Sequence, residues 1–235
     1  MNNLLPKHNE WQNYNLTHLK ENLILNNPDK NDFDENLLFS TPIYSAFDLD
    51  NVDLVKTVAE DSQYHTQSDT NMSGTFFHDD RIFNFAQYVL QSSWNILKRQ
   101  GYLMENYQTV YESMWLQTYE KHSYMEHHTH GNGNQIVGFY FLEVPERSVQ
   151  LLLHDPRAGK IQMDLDETDT TQVTHGSKFI VLNPRAGQLI LTPSWLAHSI
   201  TANQSDNLVK FVHINIQAQR IANNKSCQTP QVEVI

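Results

Sequence analysis

Four of the chain's twelve histidines fall between positions 122 and 130, at His122, His127, His128 and His130, and a fifth, His198, follows in Pro193-Ser-Trp-Leu-Ala-His198. On a strand, side chains alternate between faces, so His128 and His130 point one way and His127 the other. Two imidazoles at i and i+2 can grip one metal ion from adjacent rungs, with the third ligand coming from another strand. His198, which precedes a short strand late in the chain, is the natural third. Neutral imidazole is a common ligand for Fe, Zn, Cu and Ni. The competing reading is a polar loop that happens to be rich in histidine, because a His-rich tract is compositional evidence. His127 is excluded from the metal by parity. His122, His154, His175 and His213, each taken alone, read as surface or hydrogen-bonded core residues.

Lys210 is a second polar oddity. Its same-face neighbours Leu208, Val212 and Ile214 are apolar, and a cation buried there without a partner is costly. It reads either as an edge-strand lysine guarding against aggregation or as a clamp for a carboxylate. His213, three residues on, faces the opposite way. If Lys210 points into a barrel, His213 points out.

These residues need a frame. Residues 38–48 read as an extended entry segment in which Pro42 bars a helix and suits an edge strand. A helix follows, with Asp50 as its cap and Val52, Val55 and Ala59 at helical spacing. The clearest helix covers about Ile82 to Arg99, where Ile82, Phe85, Ala86, Val89, Leu90, Trp94 and Leu97 form one stripe of period 3.6. Asp80 can cap its start, Lys98 and Arg99 suit its C-terminal dipole, and Gly101 stops it. Such a stripe must lie on something, most plausibly a sheet.

After Gly101 the texture changes to short β-branched, aromatic and Leu-rich runs. Candidate strands are Val110–Tyr119, Gln135–Leu142, Val149–His154, Phe179–Leu182, Gln188–Leu191, Ala197–Thr201 and Leu208–Ile216. Turn residues separate them, as in Gly131-Asn-Gly-Asn134 and Asn183-Pro-Arg-Ala-Gly187. Strands in this number and spacing predict a sandwich or jelly roll, mainly β and buttressed by N-terminal helices. Residues 1–36, rich in Asn and Asp, read as an arm ahead of a single domain spanning 37–235, with helices over about 50–101 and a β core over about 108–217.

Composition narrows the partners. The formal net charge is −11, and no run of Lys or Arg marks a nucleic-acid or anionic-membrane face. No apolar run approaches the ~20 residues of a spanning helix. The N-terminus lacks the apolar stretch of a signal peptide, and the single Cys227 cannot form an internal disulfide. Together these point to the cytoplasm. The expected partner is a small-molecule or peptide substrate, with a homodimer possible and neither nucleic acid nor membrane involved.

In order along the chain, several segments resemble the 2-oxoglutarate/Fe(II)-dependent oxygenase superfamily, and within it a group of small bacterial and phage members. They are Phe39-Ser-Thr-Pro-Ile43, Trp115-Leu-Gln117, His128-Thr-His130, Gly138-Phe-Tyr-Phe-Leu142 and Leu153-His-Asp-Pro-Arg157. Gly187-Gln-Leu-Ile-Leu-Thr-Pro-Ser-Trp-Leu-Ala-His198, the most specific piece, and Lys210-Phe-Val-His-Ile-Asn215 complete the series, which covers roughly residues 38–217. The resemblance implies a double-stranded β-helix with one Fe(II) in its mouth, 2-oxoglutarate as cosubstrate, O2 as oxidant, and hydroxylation of a C–H bond with release of succinate and CO2. Carried over residue by residue, it makes His128, His130 and His198 the catalytic metal ligands. Lys210 falls where the family's Arg pairs with the far carboxylate of 2-oxoglutarate.

Three positions depart from the superfamily pattern. His130 stands where a carboxylate usually completes two histidines, so either three histidines bind the metal or Asp155 or Glu126 substitutes. Lys210 offers a point charge in place of the planar fork of Arg. Val212 replaces a Ser that usually donates a hydrogen bond. Two other functions compete with the oxygenase: a cupin-like metalloenzyme using three histidines without an oxo acid, and a non-catalytic jelly roll serving as a binding module.

Overall fold

The computed structural model describes residues 39–221 apart from 63, 68, 69 and 164. The proposed arm over 1–36 lies outside these residues. Internal contacts divide the chain into Met1–Pro42 and Ile43–Ile235, and every element below belongs to the second unit.

Strand β1 (Tyr44–Phe47) follows Pro42 and pairs with one neighbour alone, as an edge strand should. Helix α1 (Val52–Asp61) buries Val55, Val58 and Ala59. Its start is held by Asp48, whose carboxylate accepts from the Asn51 backbone N–H at 3.2 Å, and Asp50 does not serve as the cap. Helix α2 (Phe83–Arg99) buries Phe85, Ala86, Val89, Ser93, Ile96 and Leu97, close to the predicted stripe. Asp79, one residue before the expected cap, accepts from the Arg81 N–H. Trp94 is only partly buried, because its indole N–H reaches the carbonyls of Met104 and Tyr107 at 3.2 and 3.0 Å. Gly101, at φ +96°, ends the helix in a conformation that costs glycine little.

The remaining strands are β2 (Tyr64–Gln67), β3 (Thr70–Ser73), β4 (Tyr107–Tyr119), β5 (Met125–His128), β6 (Ile136–Glu143), β7 (Leu151–His154), β8 (Phe179–Leu182), β9 (Gln188–Pro193), β10 (His198–Ile200) and β11 (Val209–Arg220). They form two antiparallel sheets, a larger one in the order β1-β9-β6-β11-β4-β3-β2 and a smaller one in the order β5-β10-β7-β8. This is the predicted jelly roll. The sequence reading missed β2, β3 and β5, whose residues (YHTQ, TNMS and MEHH) lack the apolar alternation of a half-buried strand.

Two apolar clusters hold the layers together. On one side of the larger sheet, Phe85, Val89 and Leu97 of α2 pack with Met114, Leu116, Tyr140, Ile214 and Ile216. Between the sheets lie Val137, Phe139, Phe141, Leu151, Leu153, Ile190, Ile200, Val209 and Phe211. The central strands β6 and β11 therefore bury both faces. At Gly138 in β6, a Cβ would stand 2.8 Å from Leu191 Cδ2 and 3.2 Å from Ile214 Cβ, so close packing of β6 against both neighbours requires glycine there. Among the described residues no helix is long and apolar enough to cross a membrane.

Candidate metal centre

The smaller sheet sets the first two ligand positions. β5 and β10 pair antiparallel with His198 opposite His128, and residues directly opposite share a face. His130 lies two residues beyond the end of β5, where its N–H donates to the Ser194 carbonyl at 3.0 Å. That bond ties the segment after β5 to the turn before β10 and brings His130 back to the face of His128. The parity argument thus holds although only one of the pair lies in the strand. One ligand nitrogen from each of His128, His130 and His198 falls within 4.8 Å of the others. His127 points away, with its ring 4.4 Å from that of His154.

The nitrogens are presented in the form a metal needs. His128 Nδ1 stands 2.7 Å from the Glu126 carbonyl and His198 Nδ1 stands 3.0 Å from the Leu196 carbonyl. A carbonyl only accepts, so each Nδ1 carries the proton and each Nε2 keeps its lone pair free. His198 is fully buried and its Nε2 has no hydrogen-bond partner. His128 Nε2 and His130 Nε2 are 3.0 Å apart. Two nitrogens at right angles, each about 2.1 Å from one ion, would stand about 3.0 Å apart. The residues present therefore fit one ion.

Neither carboxylate considered as a substitute joins this group. Asp155 is held by Arg157 and Lys160, at 2.7 and 3.0 Å, and the Arg157 guanidinium keeps its carboxyl well below the usual range. Glu126 is exposed and contributes its backbone carbonyl. Among the described residues the group that could hold an ion is all imidazole, and neither Asp155 nor Glu126 is part of it.

Burial keeps two of these rings, those of His198 and His130, neutral. It pulls His198 down to about 3, and, with the neighbouring His128 ring, pulls His130 down to about 4 against the opposing influence of Asn215 and Glu112. In an unfolded chain both would titrate near 6.5. Between those values the unfolded state binds more protons, so stability is present above pH 6.5 and is lost as pH falls toward 4. The slope is at most about 1.4 kcal/mol per pH unit for each ring that stays neutral. Denaturant titrations of the metal-free protein at pH 7, 6 and 5 should show falling midpoints, with a shallower fall in His198→Ala. Equal midpoints across that range would contradict the assignment.

Lys210 is not brought to the histidines, which corrects its reading as the anchor of a cosubstrate carboxylate. Its ammonium pairs with Glu60 of α1 at 2.6 Å and with Glu143 at the end of β6 at 3.4 Å, and Glu143 also pairs with Lys56. It shares the helix-facing side of β11 with Val212, Ile214 and Ile216 and ties that strand to α1. By the same parity His213 turns inward. It is 2% exposed, and its ring centroid lies 4.8 Å from that of His130 and 4.5 Å from that of Trp115. Both its nitrogens lack a partner. Sequence reasoning gave neither residue a place in the site: it read His213 as a surface or hydrogen-bonded core residue and Trp115 as part of a strand motif. The available signal was that β11 carries two polar residues, His213 and Asn215, on one face and a lone Lys on the other.

Two facing antiparallel sheets with three imidazoles converging on one side of the smaller sheet define a jelly roll equipped to hold a single metal ion. Residues 113–209 match the family described as "Putative 2OG-Fe(II) oxygenase", which covers the chain from β4 to the first residue of β11. Similar solved structures include an oxidoreductase of the 2OG-Fe(II) oxygenase family from Burkholderia pseudomallei, at 10% identity and TM-score 0.52 over 74% of this chain and 84% of that one. A prolyl-4-hydroxylase from Pseudomonas putida matches at 10% identity and TM-score 0.52, over 78% of this chain and 95% of that one. HygX from Streptomyces hygroscopicus, with nickel and 2-oxoglutarate bound, matches at 11% identity and TM-score 0.52, over 75% and 83%. At these identities the likeness is one of fold. Comparison with curated proteins gives no match. The resemblance read from the motifs to the 2-oxoglutarate/Fe(II) oxygenases is thus borne out by family and by fold.

Proposed function

We propose that the protein is a non-haem Fe(II)- and 2-oxoglutarate-dependent oxygenase that hydroxylates a small-molecule or peptide substrate, forming succinate and CO2. The observation that carries this reading is the convergence of His128, His130 and His198, with the Nε2 atoms of His128 and His198 freed by Nδ1–carbonyl hydrogen bonds. It is supported by the family match over residues 113–209. Iron held there would supply the activation of O2 that side chains cannot perform. The chain's own part is to fix the three imidazoles, to keep His130 and His198 unprotonated at neutral pH, and to exclude water with Phe139, whose ring lies 5.1 Å from that of His198. The net charge of −11 disfavours a polyanionic substrate.

Anaerobic addition of Fe(II) and 2-oxoglutarate should produce a weak visible charge-transfer band, and admitting O2 should release succinate. A protein that binds the metal but gives neither band nor succinate would sink the proposal. The all-imidazole donor set favours one alternative in that case, a cupin-like three-histidine metalloenzyme that needs no oxo acid.

A further inference from the structure

The inner face of the larger sheet holds a set of polar groups that the metal does not use. β4 and β11 pair with Trp115 opposite His213, and the two rings touch. The indole Nε1 of Trp115, both nitrogens of His213, and Thr192 Oγ1 on nearby β9 are buried with no hydrogen-bond partner, as are the acceptor oxygens Gln117 Oε1 and Asn215 Oδ1 further along β4 and β11. Such atoms are rare inside a folded protein and each calls for an explanation. The Trp115 N–H can only donate and His213 has at least one N–H to give in either protonation state, so the pair can serve an acceptor-rich group. His213 touches His130, which places this pair directly beside the metal group.

No lysine or arginine of a described strand is placed for that role, since Lys210 and Arg220 are the only two. Lys210 faces α1 and Glu60, and Arg220 is exposed at the end of β11. The inner positions of β11 beyond His213 are Val209 and Phe211, both fully buried. The inner faces of the described strands therefore offer an anion reaching in from the metal ring N–H donors and no ammonium or guanidinium.

We propose that His213 and Trp115 hold the far carboxylate of the 2-oxo acid through their ring N–H donors, in place of Lys210. This rests on the oxygenase reading above. It assigns a binding role to two residues that touch no metal, and it makes metal affinity and oxo-acid affinity separable.

The test is calorimetry of 2-oxoglutarate binding to the full chain loaded anaerobically with Ni(II) or Fe(II), with metal affinity measured separately. Trp115→Phe and His213→Phe should each weaken 2-oxoglutarate binding about 10- to 100-fold, the range expected for one hydrogen bond to a charged group. His213→Gln, which keeps a donor, should recover part of the loss. Lys210→Met should bind as wild type does, and metal affinity should stay constant throughout. Should His213→Phe fail to fold, Trp115→Phe removes the indole N–H while keeping an aromatic ring at the site and carries the test alone. If wild type binds 2-oxoglutarate and both donor variants bind it equally well, this inference is overturned and the oxygenase reading stands. If the donor variants lose metal affinity in step, His213 and Trp115 merely support the ligands, and the inference is again overturned. If the metal-loaded wild type does not bind 2-oxoglutarate, both fall.

Discussion

Replacing His198 with Ala should lower divalent-metal affinity by more than about 100-fold, because loss of a partner that only orients a ligand already costs about 10- to 100-fold. His198 supplies the most buried nitrogen of the three and the one with no other partner. The variant removes a ring that is neutral at pH 7, so it leaves no unpaired charge behind. His128→Ala, at a more exposed position, should lose metal similarly and provides the same measurement with less disturbance of packing. His127→Ala should bind as wild type does, since its ring sits against His154 on the other side of the sheet. Titration calorimetry with Ni(II) distinguishes the three. Wild-type affinity in both His198→Ala and His128→Ala would show that the convergence of imidazoles is not a metal site.

Phe85→Asp should leave little soluble protein. Phe85 is 1% exposed, and its ring lies 4.8 Å from that of Tyr140, which joins α2 to the centre of the larger sheet. Removing a buried Phe side chain costs about 3–5 kcal/mol. A carboxylate placed there meets the apolar cluster of Val89, Leu97, Met114 and Ile214, and it must take up a proton or draw in water, at a further cost of several kcal/mol. The sum rivals the whole stability of a domain, about 5–15 kcal/mol. Phe85→Leu keeps an apolar side chain at the site and should fold with a lowered melting temperature. The soluble fraction and thermal melt of the two variants check this, and a stable Phe85→Asp protein would mean that α2 does not seal the sheet.

What the sequence revealed depended on whether a pattern had a sign. The α2 stripe is polar on one side and apolar on the other, so both its existence and its buried face could be read. Seven strands were legible from their apolar runs, while the polar segments of β2, β3 and β5 were not. His128 and His130 could be paired by parity, and the structure keeps them together. β11 was different. Val209 and Phe211 on one face and Val212, Ile214 and Ile216 on the other are all buried, because helices cover one side of the larger sheet and the smaller sheet covers the other. Alternation there states that Lys210 and His213 oppose each other, but it does not state which faces in. The cation was assigned to the interior by resemblance, whereas Glu60 and Glu143 on the helix side give it a partner that spacing along the chain could not reveal.

That double burial of β11 also restricts how this gene can drift. A point substitution alters one face and can be absorbed by the layer it touches. An inserted or deleted codon between Phe211 and Asn215 would exchange both faces of the strand on one side of the change, so that residues of the helix side and of the inter-sheet side trade places together. The pairing with β6 shifts register between Lys210 and Phe211 and that with β4 between Asn215 and Ile216, so at those two steps a length change has somewhere to go. Between them, two independent layers would have to be rebuilt at once. Related genes should therefore vary in length through segments such as 155–178, where the described residues are mostly exposed, and should hold the span from Phe211 to Asn215 to a constant number of codons even where its residues differ.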